Sequence, residues 1–274
     1  MKPVLLYRPS LMESDELEAA QQAGFPCVSQ RSQVPPRSLV VARYSALPFY
    51  RELEADLREQ GSRLVNTSRQ HEWVANMDWA FEPLTIGLTF PTWTDLSQVP
   101  RDEAPFVLKG RTNSKKQRWS NMMFAASWDE AQAVQARLLD DGLIGDQGVV
   151  IRKYVPLHTY FEAIGGLPIT TEFRAFILDG QLLSVAYYWH AFVDDFPFYN
   201  QTPPSVNEID TGFLQTVIDR VGDSARFYVA DIARDQTGKW WLVEINDGQQ
   251  SGLSGNSPTT LYRALYRMLT EPRE

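Results

Sequence analysis

RFYVADIARDQTGKWWLVEINDGQQSGLSGNSP, residues Arg226 to Pro258, is the stretch from which the rest of the chain can be read. Phe227 to Ala230 and Trp240 to Val243 are β-favouring runs separated by Asp235-Gln236-Thr237-Gly238, so the stretch predicts strand, turn, strand, then a polar Gly/Ser-rich loop. Side chains alternate along a strand, which puts Glu244 and Asn246 on one face and Val243 and Ile245 on the other. A two- or four-residue turn, pairing Asp235 with Gly238 or Arg234 with Lys239, sets Asp231 on the Glu244 face, diagonal to it. A three-residue turn breaks that arrangement. Asp231, Glu244 and Asn246 then converge as three hard oxygen donors of the type Mg2+ accepts. The alternative is that both acids pair with Arg or Lys at a sheet end, since unpaired acids rarely sit inside strands this apolar.

Upstream, Thr171 to Leu178 and Gln181 to His190 flank Asp179-Gly180, a type I′ turn signal, and predict a hairpin with Glu172, Arg174 and Phe176 on one face. A polar, basic face on an apolar strand asks for an anion; the alternative is a surface Glu172–Arg174 pair. Phe192 to Pro204, with paired acids, aromatics and prolines, is a long loop able to cover a site. Gly148 to Val155 is a strand closed by Pro156, with Arg152 and Lys153 on opposite faces. Phe106 to Lys109 is a short strand ending on a lysine, and Gly110 to Arg118 is a cationic loop holding Arg111, Lys115, Lys116 and Arg118. Such a loop suits polyphosphate, Lys as a point charge and Arg as a bidentate donor. A solvated basic turn is the alternative for the loop, whereas a lysine at the end of a buried strand calls for an anionic partner.

Ser127-Trp-Asp-Glu130 is a capping box opening a helix to about Asp140, and Gly212 to Val221 and Leu261 to Leu269 are further helices. Near the start, strands at Val4–Tyr7, Pro26–Ser29, Ser38–Arg43 and Arg63–Val65 alternate with helices at Met12–Ala23, capped near Ser14 and ended by Gly24, and at Pro48–Gln60. In the second helix Phe49, Leu53 and Leu57 form the apolar stripe. That alternation predicts a small parallel α/β layer over roughly the first 90 residues. No GxGxxG fingerprint is present. Thr67 to Phe81 is helical in pattern, and Phe90 to Asp95 reads as a linker, placing a domain boundary near residue 95.

The 274 residues, 43% hydrophobic and 22% charged, make an ordinary globular protein with room for two or three small domains. A net charge of −8 argues against a general nucleic-acid surface. The single cysteine, Cys27, supports neither a disulfide framework nor a zinc site. The opening MKPVLLYRPS has too short an apolar run for a secretory signal, and no window approaches a membrane span, so a cytoplasmic location is expected. His71, His158 and His190 are scattered and are expected in structural or surface roles.

Taken together, Pro105 to Lys109, Val149 to Val155, the Glu172-Phe-Arg174 hairpin, and Asp231 followed by Glu244-Ile-Asn246 resemble the ATP-grasp superfamily in order and spacing, over about residues 100 to 260. The arginines and lysines around the nucleotide are similar to a clade defined by two arginines and a lysine, found in phages and bacteria. The resemblance implies an α/β chain: an N-terminal α/β domain over 1–95, then a two-lobed ATP-grasp fold with α+β character, its subdomains over 96–155 and 156–274. It implies ATP and Mg2+ as cofactors. Lys109 would contact the ATP phosphates, with Arg111 and Glu172 in the nucleotide site. Arg152 to Val155 would lie along adenine, the backbone of Lys153, Tyr154 and Val155 reading its edge. Arg174 would neutralise the transferring phosphoryl group, and Asp231, Glu244 and Asn246 would hold Mg2+. Where the superfamily commonly has a Gly-rich phosphate loop, this chain has the cationic one. An acid or amide is common at the Arg152 position, and the usual earlier lysine has no counterpart near Asn76 to Trp79.

The implied activity is an ATP-dependent carboxylate–amine ligase that passes through an acyl phosphate and releases ADP, with an amino acid, peptide or protein as acceptor. Asp194, Asp195, Arg234 and the loop Gln249 to Asn256 are placed to face such an acceptor. One alternative is a nucleotidyl-transferring ligase on nucleic acid, supported only by the Arg111 to Arg118 loop and lacking a K-x-D-G lysine; another is a non-catalytic nucleotide-binding module. A membrane partner is not expected, and the oligomeric state is open.

Overall fold

β1 (Lys2–Tyr7) is apolar on both faces from Pro3 to Leu6, as a strand sandwiched between helices must be. It comes from a computed structural model that describes residues 1–83 and 85–271. α1 (Ser14–Ala23) follows, with Glu13 rather than Ser14 at the N-cap and Gly24 closing the helix at φ 107, a conformation glycine adopts without a Cβ penalty. β2 (Cys27–Val28), β3 (Ser38–Arg43), α2 (Tyr50–Glu59), β4 (Arg63–Leu64) and α3 (Ser68–Ala75) complete the N-terminal layer. Its sheet, ordered β2-β1-β3-β4, is wholly parallel. In α2 the buried stripe starts at Tyr50, because Phe49 precedes the first turn and remains 57% exposed. α3 ends earlier than its pattern suggests: Met77 turns the chain at φ 59 into a short 3-10 segment, Asp78–Ala80.

The first lobe holds β5 (Thr92–Trp93), β6 (Phe106–Gly110), α4 (Trp119–Met122), β7 (Phe124–Ala125), α5 (Trp128–Leu139) and β8 (Val149–Lys153), with an antiparallel sheet ordered β5-β8-β6-β7. Thr92 and Trp93, expected in a linker, are instead an edge strand paired with Arg152 and Ile151. α5 buries Ala131, Val134 and Leu138 against this sheet. Ser127 caps it by accepting from the Glu130 N–H at 3.2 Å, while the Glu130 carboxylate reaches the Ala126 N–H at 2.7 Å.

The second lobe contains the small hairpin β9 (Thr159–Ala163) and β10 (Leu167–Thr170), then β11 (Glu172–Leu178), β12 (Gln181–Tyr187), α6 (Thr211–Val221), β13 (Phe227–Arg234), β14 (Trp240–Asp247) and α7 (Pro258–Thr270). Its main sheet runs β12-β11-β13-β14, antiparallel throughout. The Asp179-Gly180 turn has φ 49 and 78 at its two residues, the left-handed pair a type I′ hairpin requires. Of the covering loop expected over Phe192 to Pro204, the part to Tyr199 belongs to a 3-10 segment, His190–Tyr199, which lays Phe196 and Tyr199 on Phe161 of β9.

The two faces of the main sheet have different uses. Phe173, Ala175, Tyr228, Ala230 and Ile245 face α6 in one core. On the opposite face Phe176, Leu178, Phe227 and Val229 pack with α7 and with Leu5, Phe25 and Leu39 of the N-terminal layer. Towards the other end of that second face the side chains turn polar: Glu172, Arg174, Asp231 and Glu244. α7 therefore covers the apolar half and leaves the polar half facing the first lobe.

Candidate functional site

The polar half depends on a register shift. β13 and β14 are joined by five residues, Asp235 to Lys239, because Arg234 pairs with Trp240, and that register alone would set Asp231 opposite Val243. The ladder then shifts between Ile232, paired with Leu242, and Asp231, paired with Glu244, leaving Val243 as the extra residue of a bulge. Asp231 and Glu244 therefore lie directly opposite each other rather than diagonally, with Asn246 two residues on along the same face. The displaced Val243 carbonyl accepts a 2.6 Å hydrogen bond from Arg152 of the first lobe.

Two of the three carboxylates on this face, Asp231 and Glu244, are paired with a cation. Arg174 grips Asp231 in a bidentate pair, two N–H···O bonds of 2.8 Å, and also donates to the Gly252 carbonyl at 2.8 Å while lying 4.8 Å from the Tyr188 ring centre. Lys109, at the end of β6, pairs with Glu244 across the two lobes. Burial pulls the Lys109 ammonium down and the Glu244 carboxylate pushes back. Burial would raise Glu244, yet Lys109 and Lys116 outweigh it and hold the carboxyl down at about 2. The pair is thus ionised, with the proton on the lysine. Glu172, buried beside them without a bidentate partner, is pushed up to about 7 by burial.

Two cavities meet over these residues and share Lys109, Ser114, Lys116 and Glu244. The first is an apolar slot between the lobes, bounded by Phe90, Val107, Met123, Leu167 and Val243, with Arg152 and Glu172 at its polar edge. The second is polar and is lined also by His71, Arg111, Arg174, Asn246, Asp247 and the loop Gln250 to Gly252. Arg152 is buried, donates to Val243, Thr89 and Thr92, and stacks 4.7 Å from the Phe90 ring; burial lowers it to about 10. Lys153 points the opposite way, to Glu103. The N–H groups of Lys153 and Tyr154 are bonded to the Pro91 and Pro105 carbonyls at 2.9 Å each, Tyr154 lies edge-on to Phe124, and none of Lys153, Tyr154 and Val155 lines the slot.

The cationic loop divides. Lys116 turns inward, bonding the Tyr188 hydroxyl and lying 4.2 and 4.9 Å from the Tyr188 and Trp189 ring centres; although burial opposes its charge, Tyr188 and Glu172 raise it. Arg111 lines the cleft, and its buried Nε has no hydrogen-bond partner. Lys115 turns outward to Asp141 at 2.6 Å, and Arg118 is exposed. The sequence offered Lys116 only as one of four loop cations and placed His71 in a structural or surface role; a charge run says nothing about which cation faces inward. Arg234, expected near an acceptor, pairs with Glu208 at 3.2 Å outside the cleft, and Asn256 is buried against Ser184 and Arg174.

Asp231, Glu244 and Asn246 are oxygen donors of the type Mg2+ accepts and share one face of adjacent strands. Asp231, however, has both oxygens bonded to Arg174 and lines neither cavity, so Glu244 and Asn246 are the two that open to the cleft. Among the described residues no three His, Cys, Asp or Glu side chains form a metal cluster. Mg2+ commonly takes one or two carboxylates plus substrate oxygens, so that finding is no conflict. Among the described residues no helix is long and apolar enough to cross a membrane.

The fold recurs in solved structures. A RimK domain ATP-grasp protein from Sphaerobacter thermophilus aligns with a TM-score of 0.60 at 14% identity, covering 97% of this chain and 99% of that one. The ATP-grasp ligase PsnB, complexed with a minimal precursor, Mg and ADP, aligns at 0.57 and 11% identity, covering 97% and 96%. D-alanyl-alanine synthetase A from Vibrio cholerae aligns at 0.56 and 13%, covering 98% and 97%. No curated protein matches the chain significantly. Residues 96–265, more than half of the chain, match the family described as ATP-grasp domain, R2K clade family 3, and the chain belongs to that family.

Proposed function

We propose that this protein is an ATP-dependent ligase that joins a carboxylate to an amine through an acyl phosphate, releasing ADP. The observation that carries the reading is the joined pair of cavities. An apolar slot opens onto Lys109, Lys116 and Glu244, and the polar cavity that shares those residues adds Arg174 and Asn246. Phosphoryl transfer needs positioning and charge neutralisation more than covalent chemistry, and this cleft supplies cations converging on one point from both lobes.

In this reading adenine lies in the slot against Val107, Leu167 and Val243. Lys109, Lys116 and Arg111 hold the phosphates, and Arg174 faces the transferring group. Asp231, Glu244 and Asn246 would hold Mg2+, which supplies neutralisation of the phosphate oxygens. The substrate carboxylate enters along Gln250 to Gly252 and attacks the γ-phosphorus; the bond to the ADP oxygen breaks and ADP leaves. An amine then attacks the acyl carbon and phosphate departs. The similarity to PsnB, crystallised with a precursor, and to D-alanyl-alanine synthetase A supports a peptide or amino acid as substrate class.

The test is nucleotide turnover with Mg2+ and a pooled set of amino acids and short peptides, resolving ADP from AMP. ADP that appears only with an acceptor is the expected result. AMP would move the reading to nucleotidyl transfer, and ATP binding without product under any acceptor would favour a binding module.

A further inference from the structure

His71, on α3 of the N-terminal layer, reaches the same polar cleft as Lys109, Arg174 and Asn246. Its Nδ1 lies 2.9 Å from Oδ2 of Asp247, the residue after Asn246. Asp247 is buried, and three other donors converge on it: the Asn66 amide at 2.9 Å, the Gln249 N–H at 2.9 Å and the Tyr50 hydroxyl at 3.3 Å. Tyr50 also stacks on the imidazole, ring centres 4.3 Å apart and planes 16° from parallel. A carboxylate surrounded by donors acts as the acceptor, so the His71 proton sits on Nδ1 and the Nε2 lone pair is left free. Nε2 has no partner among the described residues and is not among the buried polar atoms without one, and His71 itself lines the cleft.

We infer that His71, oriented by Asp247, takes the proton from the incoming ammonium group of the amine substrate. The inference rests on the ligase reading and deepens it. An acyl phosphate reacts with an amine only in its unprotonated form, while most amines carry an extra proton at neutral pH. Nε2 removes that proton, giving an imidazolium that the Asp247 carboxylate stabilises. The amine nitrogen then forms the C–N bond, the C–O bond to phosphate breaks with its electron pair going to the phosphate oxygen, and the second nitrogen proton leaves with that phosphate. His71 afterwards returns its proton to water. The N-terminal layer thus supplies the base while the two lobes supply the phosphoryl chemistry.

His71→Gln tests this, because glutamine keeps an N–H for Asp247 but has no basic nitrogen. The probes are ATP, Mg2+, a pool of the twenty amino acids and short peptides, and hydroxylamine, a nucleophile already unprotonated at neutral pH. Hydroxamate formation should stay within about threefold of the unaltered protein, while peptide-bond formation falls by roughly 10²–10⁴. Equal losses in both, or no loss in either, would overturn the assignment. The unaltered protein giving neither ADP nor hydroxamate would overturn the ligase reading itself. Nitrogen NMR of the histidine rings, of which the chain has only three, reads the tautomer without any substrate: a proton on His71 Nε2 at pH 7.5 would overturn the proposed dyad independently.

Discussion

Replacing Asp231 by Asn tests the buried charge pair by itself, because Asp231 is bonded through both oxygens to Arg174. The side chains are only 1% and 10% exposed, so solvent screens the pair little and removing one partner leaves a buried cation. After Asp231→Asn, Arg174 keeps the Gly252 carbonyl and the Tyr188 face but loses its counter-charge. Breaking a buried pair in this way costs about 3–5 kcal/mol. With a urea m-value of about 3 kcal/mol/M, the unfolding midpoint should fall by roughly 1–1.7 M. The double variant Asp231→Asn/Arg174→Met removes the orphaned charge and should recover part of the loss, giving a coupling of about 1–3 kcal/mol in the cycle. Urea unfolding followed by circular dichroism, with the four proteins compared at equal m, is the assay. An Asp231→Asn protein within about 1 kcal/mol of the unaltered one, or strict additivity in the cycle, would refute the claim that the pair supports this face of the sheet before any nucleotide arrives.

Lys116→Met should weaken ATP binding about 10- to 100-fold by calorimetry, while Lys115→Met, on the outward side of the same loop, should change it less than about threefold. Arg152→Lys keeps the charge but cannot reach Val243, Thr89 and Thr92 together, so it should lower stability by about 1–3 kcal/mol in thermal unfolding and loosen nucleotide binding. Glu172, raised to about 7 by burial, contributes stability that is complete below its unfolded pKa and is lost as pH rises through 7. The Tm difference between unaltered protein and Glu172→Gln should therefore shift against the unaltered protein between pH 5 and 8; a constant difference would contradict the buried carboxyl.

The elements that sequence reasoning located well are those whose cues are local. Asp179-Gly180 states its own turn, the apolar runs of β3, β11 and β13 state their burial, and Lys109 at the end of an apolar strand asks for the anion it finds in Glu244. What was not legible depends on contacts between distant segments. Val243 looks like any apolar strand residue, and only the five-residue connection and the Arg152 guanidinium make it the bulge. Thr92 and Trp93 follow a proline and pair only because β8 offers them an edge. His71 carries no local mark; Asp247 and Tyr50, 176 and 21 positions away, give it its orientation. The site's residue types were therefore readable, and their pairing was not.

α7 has a consequence for biogenesis. Its stripe of Leu261, Tyr262 and Leu265 shares one core with Leu5, Phe25 and Leu39 near the start of the chain and with Phe176 and Phe227 in the middle. A nascent chain emerging from the ribosome therefore has the whole parallel sheet in hand, yet one flank of that sheet stays wet until the final helix is made. Assembly of the N-terminal layer waits on the last element. Contacts of such sequence separation slow the search for the native state, and an unfinished chain would present an apolar surface on which a holding chaperone could act until residue 270 clears the exit tunnel.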